Sequence, residues 1–473
     1  MQTTSTILPN IPADFSLLLQ GGTVYFIGIG GIGMSALAKY FLNKGCTVYG
    51  YDKTATELTA QLSAEGAIIT YSDVVVQLLK IINVVIYTPA IPITNRLLQH
   101  FVIEKYTLLK RSEVLGMLTA TYTNICVAGT HGKTTVSAMI AHLLQHSGYG
   151  CNAFLGGISV NYNTNFISSA TNVCVIEADE YDRSFLQLSP TIAVVTSVDA
   201  DHLDIYGTAH EMENAFIAFT QKIKKEGKLI VNTSVPTLSR MLTPSTITYN
   251  INNASANAYA SNIVVNNGTY TFTANTPSTT INNLQLNIGG LHNIENMLAA
   301  ILVAKQLLIS DVAIVAAVAS YSGVKRRFNY VVAPCSTCNT VVIDDYAHHP
   351  TELQACLNSV KNLFPHHYII IIFQPHLYSR TRDFAPAFSQ SLSLANEVVL
   401  LPIYPARELP ITGITSDILL PQITTANKQV INKDDVVQWV KNYNQNTTRP
   451  TVIVIAGAGD IDTLVNPIKN LYS

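Results

Sequence analysis

Charge is scarce in this chain. Charged residues are only 12% of 473, and 28 basic against 30 acidic side chains leave a formal net charge of −2. That balance removes any global electrostatic case for a nucleic-acid partner, so any polyanion must be held locally. Long apolar runs are missing too, since no stretch approaches the ~20 residues of a membrane span. Met1–Gln20 has neither a basic start nor a long apolar core and does not read as a signal peptide. The seven cysteines are scattered, mostly within apolar runs, and read as reduced core residues of a cytoplasmic protein. Cys335-Ser-Thr-Cys338 has no second CxxC pair, so a turn before a strand is expected there instead of a metal site. What the chain has in quantity is apolar character, 48%, enough to bury a large core and to exclude general disorder. Its length suggests about three domains.

The most informative stretch is Val127–Thr135, Val-Ala-Gly-Thr-His-Gly-Lys-Thr-Thr. An apolar strand, Tyr122–Val127, precedes it, and a helix with Val136, Met139, Ile140, Leu143 and Leu144 at helical spacing starts near Thr134. Strand, glycine loop and helix form a cradle in which backbone N–H groups bind phosphates. Lys133 would reach the terminal phosphates, and Thr134 would offer its hydroxyl to Mg²⁺. Position 127 is Val where the eight-residue P-loop pattern has Gly, so the loop fits only as Gly129-x-x-Gly132-Lys133-Thr134.

A second phosphate loop lies upstream. The strand Thr23–Ile27 runs into Gly28, Gly30 and Gly33 in G-x-G-x-x-G spacing, a helix Met34–Asn43 follows, and the strand Thr47–Tyr51 ends in Asp52, nineteen residues after Gly33. This is the fingerprint of a dinucleotide-binding βαβ unit. NAD is the obvious ligand, but the glycines and the helix start recognise a diphosphate and not a nicotinamide. Strand Asn83–Tyr87 continues the α/β pattern to about Thr119.

Beyond the second loop, strand Asn172–Ile176 leads into Glu177-Ala-Asp-Glu180, and Ile192–Val198 leads into Asp199-Ala-Asp201-His202. Acids at the carboxyl ends of strands are where an open α/β sheet places its chemistry, and Mg²⁺ needs no more than one or two of them beside phosphate oxygens. Ser234–Ile288 is rich in Asn, Thr and Ser in short alternating runs, read as antiparallel strands. A glycine turn, Gly289-Gly290, then opens a helix with Asn293 and Asn296 on one face. After a break near Ser322-Gly323, strands Thr340–Ile343, Tyr368–Phe373, Glu397–Leu401 and Thr451–Ile455 alternate with helices, which argues a further doubly wound domain.

Gly129-Thr-His-Gly-Lys-Thr-Thr135, Glu177-Ala-Asp-Glu180, His292-Asn-x-x-Asn296, Arg326-Arg-Phe328 and Asp344-Asp-Tyr-Ala-His-His-Pro350 occur in that order on one chain. With Gly28-Ile-Gly-Gly-Ile-Gly-Met-Ser35 and Gly457-Ala-Gly-Asp460, they give a sequence that resembles the Mur ligases, ATP-dependent amide-forming enzymes of peptidoglycan precursor synthesis. The resemblance covers nearly the whole chain. It implies an α/β fold of three domains: a Rossmann-like UDP-sugar domain over 1–119, a P-loop ATPase-like mononucleotide-binding domain over 120–323 and a Rossmann-like ligase domain over 324–473. It further implies UDP-N-acetylmuramate and L-alanine as substrates, ATP and Mg²⁺ as cofactors, an acyl-phosphate intermediate, and no nucleic-acid or membrane partner. The oligomeric state is left open.

Carried over position by position, the resemblance assigns Gly129, Thr130, His131, Gly132, Lys133, Thr134 and Thr135 to ATP, with Asn293 and Asn296 at the adenine pocket and Arg326 or Arg327 at the phosphates. Thr134, Glu177 and His202 match the residues around Mg²⁺. Gly28, Gly30, Gly31, Gly33, Met34, Ser35 and Asp52 match the sugar-nucleotide loop. Asp345, His348 and His349 match residues that close on nucleotide and amino acid, with His348 the candidate base. Two departures bear on the site. Leu377 stands where the family often has Arg in Gln-Pro-His-Arg-Tyr-Ser, so no anion contact carries over to it, and Leu203–Gln221 contains no lysine that could be carbamylated at the metal. Three other readings compete: a recycling ligase that attaches a tripeptide to the same sugar nucleotide, an NAD-dependent dehydrogenase suggested by the first loop alone, and a non-catalytic nucleotide-binding regulator.

Overall fold

The computed structural model describes residues 21–74, 82–199, 203–266, 268–335, 339–406 and 408–472. The chain divides into two compact units, one of residues 1–249 with 299–309, the other of 250–298 with 310–473.

The first unit holds two sheets. Strands β1 (Thr23–Ile27), β2 (Thr47–Tyr51), β3 (Ile68–Thr70), β4 (Val84–Tyr87) and β5 (Leu108–Lys110) form an all-parallel sheet in the order β3-β2-β1-β4-β5. Parallel strands need covered faces, which explains why β1 is apolar and buried along four of its five residues. Helix Ile32–Asn43 leaves β1 through the glycine turn, buries Leu37, packs Phe41 against Phe26 of β1 and turns Tyr40 toward Phe154 and Phe166.

The second sheet contains β6 (Thr123–Ala128), β7 (Asn152–Ser159), β8 (Thr164–Ile167), β9 (Val173–Glu177), β10 (Ile192–Val195), β11 (Lys228–Asn232) and β12 (Thr246–Tyr249), ordered β12-β11-β10-β6-β9-β7-β8. β7 and β8 are an antiparallel pair at one edge, and the other pairings are parallel. One apolar cluster runs through both sheets, from Val24 and Phe41 to Ile176, Val195 and Phe219. Each such large side chain contributes roughly 1.5–3 kcal/mol by leaving water.

The second unit carries a three-stranded antiparallel sheet, β13 (Tyr259–Asn266), β14 (Thr269–Asn275) and β15 (Thr280–Leu286), from the Asn- and Thr-rich stretch. It also carries a six-stranded sheet of β16 (Asn329–Val332), β17 (Thr340–Asp345), β18 (Tyr368–Phe373), β19 (Glu397–Leu400), β20 (Asn427–Val430) and β21 (Thr451–Ala456), ordered β16-β17-β21-β18-β19-β20. All its pairings are parallel except that of β16. β17, β18 and β21 end side by side, which gathers Asp344, Gln374 and Gly457 along one rim of this sheet.

Cys46, Cys126, Cys151, Cys174 and Cys356 are free and buried. Cys335 is instead disulfide-bonded, a departure from the expectation of reduced cysteines, and Cys338 lies outside the described residues.

Candidate active site

β6 ends buried at Ala128, and the chain turns sharply because Gly129 (φ +147°) and Gly132 (φ +81°) occupy backbone regions that side chains avoid. A methyl group on Gly129 would lie 1.9 Å from Thr196 Oγ1, so β10 presses directly against the loop. Helix Lys133–His146 starts at once, aiming its first N–H groups into the turn.

The Lys133 ammonium is tied back. It donates to the Gly129 carbonyl and to Glu180 Oε1, both at 2.7 Å, and the Glu180 side chain is only 1% exposed. Burial pushes the Glu180 carboxyl up, and the Lys133 charge opposes that shift. The Thr134 hydroxyl donates to Glu177 Oε1 at 3.0 Å, and Glu177 Oε2 accepts the Gly156 N–H at 2.9 Å. Burial raises the Glu177 carboxyl as well, against the pull of Lys133 and Thr134. The Thr130 hydroxyl donates to Asp199 at 3.2 Å, while His131 is largely exposed. His202 lies outside the described residues. Among the described residues no group of three or more His, Cys, Asp or Glu forms a ready-made metal cage. A hydroxyl, one carboxylate and phosphate oxygens suit Mg²⁺, which keeps several of its waters.

The upstream loop is held by backbone. Gly28 and Ile29 N–H both donate to the Tyr51 carbonyl, and Asp52 accepts Gly30 N–H at 2.7 Å and Thr54 N–H at 3.2 Å. Ser35 is fully buried; its hydroxyl donates to the Ile32 carbonyl and accepts from Asn165, whose amide also reaches the Ile32 carbonyl at 2.6 Å. Asp52 and Ser35 thus shape the loop from behind, whereas Gly31, Gly33 and Met34 line a cavity of about 310 Å³. Glu177, Asp179 and Arg111 line the same cavity.

In the second unit, Asn293 is buried and its amide donates to the Gly289 carbonyl at 2.5 Å, with Asn296 donating to Asn293 Oδ1 at 3.1 Å. Arg326 and Arg327 differ sharply. Arg326 donates to the carbonyls of Gly457 and Gly459 and pairs with Asp462 at 3.3 Å, whereas Arg327 is exposed; both guanidinium groups lie over the Tyr346 ring, at 4.7 and 5.7 Å. Asp345 accepts Phe328 N–H at 2.7 Å and Ala347 N–H at 2.8 Å. Its neighbour Asp344 is 3% exposed, and burial pushes its carboxyl up to about 7 despite nearby Arg326.

His348 Nδ1 sits 2.9 Å from the Tyr346 carbonyl, so it carries the proton and leaves Nε2 as the acceptor; burial holds the ring below the usual histidine range. His349 caps helix Pro350–Leu363. His376, stacked on Tyr404, lies 6.0 Å ring to ring from His348. Arg111, Gly156 and Asn165 carry no role in the sequence reading, since their partners are distant in sequence and no local spacing marks them, whereas His376 belongs to the Gln-Pro-His-Leu-Tyr-Ser stretch but is given no role there.

Two glycine-rich phosphate loops on successive α/β sheets, one with its own lysine and carboxylates, define an ATP-dependent enzyme of the three-domain Mur type. The comparisons agree. Residues 23–123 match the family model for the Mur ligase family catalytic domain, 127–304 the Mur ligase middle domain and 326–459 the Mur ligase glutamate ligase domain. The chain is 45% identical over 458 residues to the UDP-N-acetylmuramate--L-alanine ligase of Cytophaga hutchinsonii, covering 95% of this chain and 96% of that one. It is 44% identical over 453 residues to the enzyme of the same name from Porphyromonas gingivalis, covering 94% and 98%. Among solved structures, UDP-N-acetylmuramate-alanine ligase from Thermotoga maritima superposes with a TM-score of 0.81 at 26% identity, covering 95% of this chain and 99% of that one. A murein peptide ligase from Psychrobacter arcticus, at 22% identity and a TM-score of 0.63 over 95% and 98%, shares the fold. The chain belongs to the Mur ligase family.

Proposed function

We propose that this chain joins L-alanine to the carboxylate of UDP-N-acetylmuramate at the expense of ATP, in peptidoglycan precursor synthesis. The observation that carries the chemistry is that Gly31, Gly33 and Met34 of the diphosphate loop line one cavity with Glu177, whose carboxylate also accepts from the P-loop hydroxyl of Thr134. A sugar nucleotide held there brings its carboxylate toward the phosphoryl donor. The identities to the two L-alanine ligases favour alanine over a tripeptide.

A carboxylate is a poor electrophile, so the γ-phosphoryl group is transferred to it and the amine attacks the acyl phosphate. Bringing two anions together demands positive charge and preorganised donors. Lys133 supplies the charge by swinging from Glu180 and the Gly129 carbonyl onto the phosphates. Thr134, Glu177 and His202 would hold Mg²⁺, which when bound screens the phosphate charge. In the domain reading 1–119, 120–323 and 324–473, His348 of the third accepts the alanine ammonium proton at Nε2, because its lowered pKa keeps it neutral at pH 7. The reaction so proposed is that of a cytoplasmic enzyme acting on small molecules; among the described residues no helix is long and apolar enough to cross a membrane.

The test is ADP release dependent on both UDP-N-acetylmuramate and an amino acid. Alanine should support turnover; turnover with tripeptide and not alanine would transfer the chain to the recycling ligases. A change in nicotinamide absorbance on titration, without ADP release, would favour the dehydrogenase.

A further inference from the structure

Arg111 opens the helix Arg111–Thr121 directly after β5, and among the described residues it supplies the one basic side chain lining the 310 Å³ cavity. Its guanidinium lies over the diphosphate loop, because a methyl group built on Gly33 would come within 2.7 Å of Nη1. On its other side Nη2 reaches Asp179 at 3.5 Å, a long contact for a charged pair. The side chain is about three-quarters covered, so its charge is partly desolvated while its fork still faces the cavity. The loop itself offers no cation, since none of Gly28–Ser35 is charged. A diphosphate settling on Gly31–Met34 would meet backbone N–H groups below and, at the side, this single guanidinium.

We infer that Arg111 is a substrate-binding residue that grips the diphosphate of the sugar nucleotide, and that Asp179 holds the guanidinium over Gly33 until the ligand arrives. This rests on the sugar-nucleotide reading of the cavity. A planar fork suits two phosphate oxygens, and a lysine would keep the charge without the two-point grip. The contact is made equally in ground and transition states, so its loss raises KM for the sugar nucleotide and leaves kcat at saturation within a few-fold.

Isothermal titration of the full chain with UDP-N-acetylmuramate and with UDP-N-acetylglucosamine, which keeps the diphosphate but lacks the lactyl carboxylate, tests the assignment. Arg111→Ala should weaken both by the same factor, roughly 10- to 100-fold for a charged hydrogen-bonding group. Arg111→Lys should recover part of the loss for both and, being the gentler change, serves if the alanine variant does not fold. Unchanged affinity for both ligands in a folded variant would overturn the proposal. A loss confined to UDP-N-acetylmuramate would also overturn it, moving the contact to the carboxylate. Wild-type protein that binds neither ligand would sink the sugar-nucleotide reading itself and not the arginine in particular.

Discussion

Between Gly28 and Gly33 the chain offers phosphate a turn shaped from behind, with Asp52 on Gly30 N–H and Asn165 on the Ile32 carbonyl. Between Gly129 and Thr135 the turn carries its own cation, drawn back by Glu180 and the Gly129 carbonyl, with Thr134 bonded to Glu177. On the proposed function the first loop is a receptor, with donors fixed in the backbone that serve ground and transition states alike. In the second, a charged side chain is parked on protein acceptors and must exchange them for ligand oxygens. The proposed function thereby separates binding of one nucleotide from activation of the other, although both loops follow the same strand-glycine-helix logic.

The comparison breaks most visibly at Lys133. Lys133→Ala removes charge needed where two anions meet, so kcat should fall by about 10³-fold, at the upper end for loss of one electrostatic donor. UDP-N-acetylmuramate affinity by calorimetry should stay within a few-fold. Full ligation activity in this variant would refute the phosphoryl-transfer role of the loop.

On the proposed function the third segment serves the amine. His348→Gln keeps a side chain near the Tyr346 carbonyl but removes the proton acceptor, and kcat/KM for alanine should drop about 10²-fold, within the usual range for one general base. Because burial lowers the His348 pKa, the wild-type acid limb should lie below the ordinary histidine value, and the variant should lose that limb. An unaltered pH profile would leave His348 a packing residue.

A smaller effect is expected at the receptor loop. Gly30→Ala places a methyl group 2.8 Å from both Asp52 Oδ2 and Thr59 Cγ2, so either these side chains or the loop must shift, and the Asp52 bond to the residue-30 N–H is disturbed in both cases. A displacement of this kind should raise KM for the sugar nucleotide roughly 10-fold while KM for ATP holds. Equal changes in both constants would mean that the two loops are not independent.

These contrasts bear on what a sequence makes legible. Strands stand out wherever an apolar run meets glycine or an acid: β18 is expected and found at Tyr368–Phe373, and β21 exceeds its expected end, Ile455, by one residue. The glycine loops are likewise local patterns, as is the family resemblance built on them. Pairings are not local. Glu180 lies 47 positions from Lys133, Asp179 lies 68 from Arg111 and Asn165 lies 133 from Ile32, so the first pair meets only through the pairing of β6 with β9 and the other two only through the packing of one sheet against the other. For the same reason the sequence alone leaves Arg326 and Arg327 interchangeable, and the carbonyls of Gly457 and Gly459 separate them.

The finest prediction extends the contrast to β17, whose end carries Asp344 and Asp345 side by side. Asp345 has two backbone N–H partners, whereas Asp344 is buried next to Arg326 with its carboxyl pushed up to about 7. An unfolded aspartate titrates near 3.9, so between about pH 4 and pH 7 the folded chain keeps a proton that the unfolded chain has lost. Folding therefore binds a proton in that window, and this group's contribution is greatest below about pH 4 and disappears as pH rises through 7. The whole term is at most about 4 kcal/mol, three pKa units at 1.36 kcal/mol each. Asp344→Asn keeps the shape and removes the titration, so the difference in Tm between wild type and variant should shift steadily in the variant's favour from pH 4.5 to 8. Parallel Tm profiles across that range would show that Asp344 is ionised in the folded protein and that the Arg326 charge outweighs its burial.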